Sequence, residues 1–340
     1  MPEGPEVRRY AAMLAEVLDN QEIVEVAART KEARRWLEAR PEIFAGRRVQ
    51  SVRARGKHLV IRVDEFFFHS HLMMWGRWQV LERPTEFDID GAWKPDRRER
   101  ARILTKSHAA VLFSAPIFEV GEGEPFQVVE NLHSLGPDTL PYPDEPPFDA
   151  KEWKRRMKLP VNITREIGAV LLDQRICCGI GNYLRAEILF KCQIDPWKRV
   201  EELKPKEWKC LAQQIPEICA YAYAHGGATA PETDRERMRS DDSLVYAPNR
   251  EWGTRHWVFR RTNLPCLVCG EAVRQKRQTT WVRGADDDND LDDGELQKAP
   301  DAKHAEDKTR IIYFCPQCQN TSIELPPIRK KKSTVEVDRT

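Results

Sequence analysis

Apolar side chains recur at Val7, Tyr10, Leu14, Val17 and Leu18, a helical period that leaves Arg8, Arg9 and Glu16 outside the stripe. It predicts an amphipathic first helix directly behind Pro2-Glu3-Gly4-Pro5-Glu6. From about residue 22 to 120 the pattern shortens to β-type runs at 22–28, 49–54, 58–63, 66–78 and 109–113. In the third run Leu59, Ile61 and Val63 alternate with Val60 and Arg62, as in a half-buried strand. One helix followed by many short strands predicts an N-terminal β-sandwich over 1–135.

Residues 136–148 carry five prolines and read as a linker. Helical segments are expected at 149–158, 164–175, 183–193 and 205–224, with Gly179-Ile180-Gly181-Asn182 as a tight turn between the second and third. Such a turn presents backbone N–H groups at a helix N-terminus and suits a phosphate, although a plain helical hairpin shows the same pattern. Residues 149–257 thus form a helical domain whose last part, 225–257, is polar and expected to be a mobile loop. A cysteine-rich module over 258–320 and a disordered basic tail over 321–340, with Arg329-Lys330-Lys331-Lys332, complete an α+β chain.

The chain has 340 residues and 41% hydrophobic composition, enough for two cores and a small appendage. No stretch approaches the roughly 18 apolar residues of a membrane span, and the charged start lacks a secretory signal's apolar centre. The expected location is therefore intracellular and cytoplasmic. In that setting the nine cysteines read as thiols or metal ligands. The net charge of +1 conceals a segregation: 285–307 holds ten carboxylates and two lysines, net −8, which leaves about +9 on the rest. A basic body with one acidic insert is compatible with phosphate binding.

Cys266-Leu267-Val268-Cys269 and Cys315-Pro316-Gln317-Cys318 are two CxxC knuckles. Four thiolates with no open position fit one structural Zn²⁺, whereas a redox dithiol needs only one pair and a βαβ setting. The 45 residues between Cys269 and Cys315 enclose the acidic insert, in which Gly294 does not fit an EF-hand register. Cys177, Cys178, Cys192, Cys210 and Cys219 lie among apolar helical residues and are expected to be core thiols.

Removal of Met1 would leave Pro2 as a secondary amine, able to form an iminium with an aldehyde such as the opened C1′ of a deoxyribose. An α-amino group titrates near about 8, so a useful fraction is neutral close to physiological pH. Glu3 is placed to move protons beside it. The same residues also suit an ordinary helix start with Pro5 in the first turn. Lys57, in Arg55-Gly56-Lys57-His58, either points to solvent or reaches a ligand. In His71-Leu72-Met73-Met74-Trp75-Gly76 the apolar residues form either a core cluster or a wedge for a base stack.

Taken together, PEGPEVRR, RGKHL, HLMMWGRW, LGPDTL, LLDQRICCGIGNYLRAEILF, VFRRTNLPCLVCG and RIIYFCPQCQ resemble the formamidopyrimidine-DNA glycosylase and endonuclease VIII family over nearly the whole chain. The resemblance implies a β-sandwich, a helix-two-turns-helix domain and a zinc-finger β-hairpin. It implies a bifunctional glycosylase and AP lyase of base-excision repair, with Pro2 as Schiff-base nucleophile, Glu3 as proton donor and acceptor, and Lys57 as phosphate-binding catalytic lysine. His71 and Met74 match the DNA-contacting HLxM segment, Met74 filling the gap left by an extruded base. Asn182 and Arg310 match the phosphate-gripping asparagine and zinc-finger arginine, and Glu6 and Glu187 match acidic positions with supporting roles. Cys266, Cys269, Cys315 and Cys318 match the ligands of one structural zinc. The implied partner is duplex DNA carrying oxidised bases or abasic sites, bound by a monomer. GNYLRAEILF and LLDQ favour the endonuclease VIII branch and oxidised pyrimidines, while HLMM and the length of 225–257 point to the formamidopyrimidine branch and 8-oxoguanine. A DNA-binding protein without chemistry is the remaining alternative. The acidic insert or the basic tail would suit a protein partner.

Overall fold

The computed structural model describes residues 2–89, 92–246, 251–281 and 308–325. The acidic insert at 285–307 and Arg329-Lys330-Lys331-Lys332 lie outside the described residues. Helix α1 (Gly4–Leu18) has a proline in its first turn, and the backbone N–H of Glu3 donates to Glu6 Oε2 at 2.9 Å. These two restraints fix where α1 begins. Val7, Ala11, Leu14 and Leu18 are buried, while Tyr10 and Val17 pack at the margin.

After β1 (Glu25–Ala28) comes α2 (Lys31–Glu38), a polar helix with only Ala33 buried. Then follow β2 (Ser51–Arg55), β3 (His58–Val63), β4 (Phe66–His71), β5 (Arg77–Glu82), the short pair β6 (Asp88–Ile89) and β7 (Ala92–Trp93), β8 (Glu99–Leu104), β9 (His108–Phe113) and β10 (Ile117–Glu122). Two four-stranded antiparallel sheets result, ordered β1-β8-β9-β5 and β10-β4-β3-β2. Val52, Ile61, Phe68, Ile103, Leu112 and Phe118 join Leu14 and Leu18 in one core. The run read as one strand over 66–78 is two strands. The chain turns at 72–76, where Met73 takes φ +52° and the Gly76 N–H bonds Leu72 O at 2.8 Å. Alternation in β3 is also weaker than expected, because Val60 on the second face is covered by Phe67, Leu132, Leu135 and Cys178.

Short helices α3 (Pro125–Val128) and α4 (Glu130–His133) lead through the proline-rich segment to α5 (Ala150–Met157) and α6 (Pro160–Ile163). Of the expected helix at 164–175 only α7 (Ile167–Val170) forms, and turns complete the rest. Then come α8 (Asn182–Lys191) and α9 (Pro205–Ala224), around a second core that includes Trp153, Leu184, Ile188, Leu211 and Ile215, and α10 (Glu232–Ser240), whose Met238 joins a third cluster with Phe190 and Trp257. Residues 225–257 are therefore not wholly irregular. Helix α10 was hidden because Met238 is its one buried residue. Cys177, Cys178 and Cys219 are buried thiols as expected, but Cys192 and Cys210 are joined in a disulfide. Their Cα atoms are 5.7 Å apart because packing of α8 on α9 brings the two together. The hairpin of β11 (Arg274–Trp281) and β12 (Lys308–Phe314) closes the described fold. Among the described residues no helix is long and apolar enough to cross a membrane.

Candidate active site

Three segments far apart in sequence meet at the start of α1. The Gly4 N–H bonds Gly179 O at 2.8 Å, tying α1 to the turn before α8. Gly56, at φ +55° in the β2–β3 turn, packs so closely that an added Cβ would lie 2.7 Å from Cys178 Cβ. Asp138 Oδ2 accepts from the Gly56 N–H at 3.1 Å and fixes that turn from the proline-rich side. Lys57 is thereby held where Glu3 is the strongest charge acting on it.

Glu3 is 2% exposed. Its carboxylate accepts from the backbone N–H groups of Gly181 (2.7 Å), Tyr183 (2.9 Å) and Leu184 (3.2 Å). The N-terminus of α8, expected to offer free donors to a phosphate, is instead filled by this carboxylate. A side chain at Gly181 would collide with it, its Cβ lying 2.4 Å from Glu3 Cδ. Burial raises the Glu3 pKa to about 7, with Lys57 and the backbone donors opposing that rise and Glu6 adding to it. Glu6, accepting from the Tyr183 hydroxyl at 3.0 Å, is likewise raised by burial. A carboxyl that is part protonated near neutrality is suited to both giving and taking a proton. Pro2, half-buried, immediately precedes it.

Lys57 is half-buried, and desolvation pushes its pKa down, with Arg310 adding to the fall. His71 stands behind it, its Nδ1 accepting from the Met73 N–H at 3.1 Å, and burial brings its pKa down to about 4. Met74 is 53% exposed, between Met73 and the still more exposed Trp75. The core-cluster reading of this segment fails, and three adjacent apolar side chains project from the β4–β5 turn.

On α8, Asn182 Oδ1 accepts from Arg185 Nη2 at 3.3 Å. Arg185, fully buried and not foreseen, also donates to Gly168 O, Ile311 O and Gln278 Oε1. Gln278 in turn donates to Glu166 and Pro196 O, so one buried polar network locks the hairpin onto α8. Arg310, opposite Gln278 on β12, is exposed. Glu187 is fully buried and bonds a different segment from Glu3. It accepts from the N–H groups of Trp257, Val258 and Phe259 and from the Thr229 hydroxyl. Its place is that of a clamp on the chain leading to the cysteine module.

The Sγ atoms of Cys266, Cys269, Cys315 and Cys318 lie within 4.8 Å of one another, with 3.8 Å between Cys266 and Cys318 and 3.4 Å between Cys269 and Cys315. Zn–S bonds of about 2.3 Å place tetrahedral sulfurs about 3.8 Å apart, so the donor set fits such an ion. The Cys266 thiol is lowered by its sulfur partners, while Cys315 and Cys318 are pushed up. One thiolate here opposes the next unless a cation neutralises them.

A family model for the formamidopyrimidine-DNA glycosylase N-terminal domain matches residues 1–116, and one for the H2TH domain of the same enzymes matches 135–233. Endonuclease 8 of Pectobacterium carotovorum is 30% identical over 232 residues, covering 66% of this chain and 80% of that protein. Endonuclease 8 of Escherichia coli O9:H4 is 27% identical, covering 84% and 99%. The solved complex of Lactococcus lactis Fpg with abasic-site DNA superposes at TM-score 0.67 and 19% identity, over 93% of this chain and 99% of that one, a likeness of fold. The chain belongs to the formamidopyrimidine-DNA glycosylase and endonuclease VIII family, whose members are DNA glycosylases and AP lyases.

Proposed function

We propose that this base-excision repair glycosylase removes oxidised pyrimidines from duplex DNA and then cuts the strand by β,δ-elimination. The observation that carries the reading is the buried Glu3 carboxyl, titrating near 7 directly behind Pro2 and in the field of Lys57. A base inside a duplex is out of reach, so the target nucleotide must be extruded. Met74, with Met73 and Trp75 beside it, fills the gap in the stack, while His71, Lys57, Asn182 and Arg310 bind the flanking phosphates. Once Met1 is removed, the neutral amine of Pro2 bonds to C1′, and the base leaves with a proton that Glu3 helps supply. The sugar ring then opens as the C1′–O4′ bond breaks and O4′ takes a proton, leaving an iminium that acidifies C2′–H. Loss of that proton expels the 3′ phosphate, and a second elimination expels the 5′ phosphate.

The four cysteines hold Zn²⁺, which supplies the charge that lets them ionise together and so fixes the module carrying Arg310. The resemblance of GNYLRAEILF and LLDQ to the endonuclease VIII branch favours pyrimidines, and the likeness to a complex with abasic-site DNA supports DNA as partner. Matched duplexes carrying thymine glycol, dihydrouracil or 8-oxoguanine test the reading. Cleavage of the first two to a gap flanked by phosphates is expected. Cleavage confined to 8-oxoguanine would move the protein to the formamidopyrimidine branch, and binding without cleavage of any of them would leave a DNA-binding protein alone.

A further inference from the structure

A line of polar side chains crosses the β10-β4-β3 face of the sandwich and ends at the Lys57 turn. Glu119 on β10 is cross-strand partner to His69 on β4, and His71 on β4 is partner to His58 on β3. Glu119 Oε2 lies 2.8 Å from His69 Nδ1, and His69 Nε2 lies 2.9 Å from His58 Nδ1. The carboxylate can only accept, so His69 carries its proton on Nδ1 and presents a bare Nε2. His58 must then donate from Nδ1, which leaves its own Nε2 as an acceptor. The His58 ring meets the His71 ring edge-on at 4.7 Å, and Lys57 is its chain neighbour. His58 and His69 are 7% and 1% exposed, whereas the Glu119 side chain is 47% exposed.

The charged groups facing His58 are Lys57 from the turn and His69 and His71 from β4. Those facing His71 are Lys57 and His69, and Glu119 faces His69 from β10. Lys57 is itself faced by Glu3 ahead of α1, by Cys177 and Cys178 from the turn before α8 and by Arg310 from β12, while Glu119, at the solvent end, is the carboxylate bonded to the histidines.

We propose that Glu119, His69 and His58 are positioning residues for the reaction proposed above: a carboxylate–imidazole–imidazole chain that fixes the tautomer of His58 and thereby the charge and orientation of Lys57 and His71. With Glu119 ionised, His58 turns an acceptor toward this corner and supports the Lys57 ammonium. Without the carboxylate, His58 is free to turn an N–H toward it, which disfavours the ammonium.

Single-turnover pH–rate profiles of the full-length protein, E119Q, H69N and the double variant test this. The asparagine keeps a donor for Glu119 but does not reach His58. Each single variant should move the alkaline limb, where Lys57 loses its proton, to lower pH by about one unit. The double variant should shift no further, with KM and zinc content unchanged. Ring ¹⁵N NMR should find His58 and His69 as Nδ1–H tautomers in the parent and a mixture in E119Q. Superimposable profiles with only the Tm lowered, or an Nε2–H tautomer at His69, would overturn the proposal. An inactive parent would refute the enzymatic reading alone, since the NMR tautomers decide the relay independently.

Discussion

Replacing Glu3 by glutamine should lower base excision and strand cleavage by about 10²- to 10⁴-fold, the range for losing a positioned acid–base group. The amide oxygen can keep the Gly181 and Leu184 N–H groups, which share one carboxylate oxygen, at the loss of the Tyr183 bond, so the turn before α8 stays folded and DNA is still bound. Stability should respond to pH in a way that identifies the same carboxyl. The folded protein holds this proton up to about 7, whereas 4.5 is its ordinary value. The contribution is therefore complete below 4.5 and is lost as pH rises through 7, an effect of about 3 kcal/mol for a fully buried group. Thermal unfolding at several pH values compares the two proteins: the parent should lose stability across that window relative to E3Q. Parallel curves, or an E3Q protein with undiminished excision, would show that Glu3 serves only as a cap for α8.

The second large effect is expected at the metal. Converting Cys315 to serine, or stripping the protein with a chelator, should remove one zinc per chain and weaken binding to damaged duplex by about 10²-fold at fixed salt. The cause is local. Arg185 is held by Ile311 O and Gln278 Oε1, both on the hairpin that the cysteines fix, and Arg310 sits on the same strand. Losing the ion frees the hairpin, leaves Arg185 buried without those acceptors, and removes a phosphate contact. The salt dependence of affinity should fall by about one phosphate's worth. Full affinity and an unchanged salt slope in metal-free protein would contradict this account.

What could be read from the chain alone followed from short-range signals. The stripe on α1, the proline in its first turn and the two CxxC pairs each lie within one element or one turn, and the structure carries each of them. Elements whose burial depends on distant partners were not legible. Helices α2 and α10 are mostly polar, and their few buried residues give no periodic signal. The turn at 72–76 lay within a run that reads as one strand and divides it where Met73 takes a left-handed backbone. The Cys192–Cys210 bond is set by packing between two helices, which residue spacing does not encode. The same holds for the site. Pro2, Glu3, Lys57 and the cysteines stood out by motif, but the occupation of the α8 N-terminus by Glu3 is a contact between residues about 180 positions apart. His58 and Arg185 lie inside motifs that pointed to other residues, Gln278, His69 and Glu119 lie in none, and their networks appear only with the strands and helices in register.

The central claim is that a proline amine, served by Glu3, bonds to C1′ of the damaged nucleotide. Borohydride reduction during the reaction with an oxidised duplex, followed by proteolysis and mass spectrometry, tests it directly. The account predicts a stable protein–DNA adduct whose added mass lies on an N-terminal peptide beginning at Pro2, with Met1 absent. An adduct on Lys57, or no adduct from protein that cleaves the duplex, would contradict it.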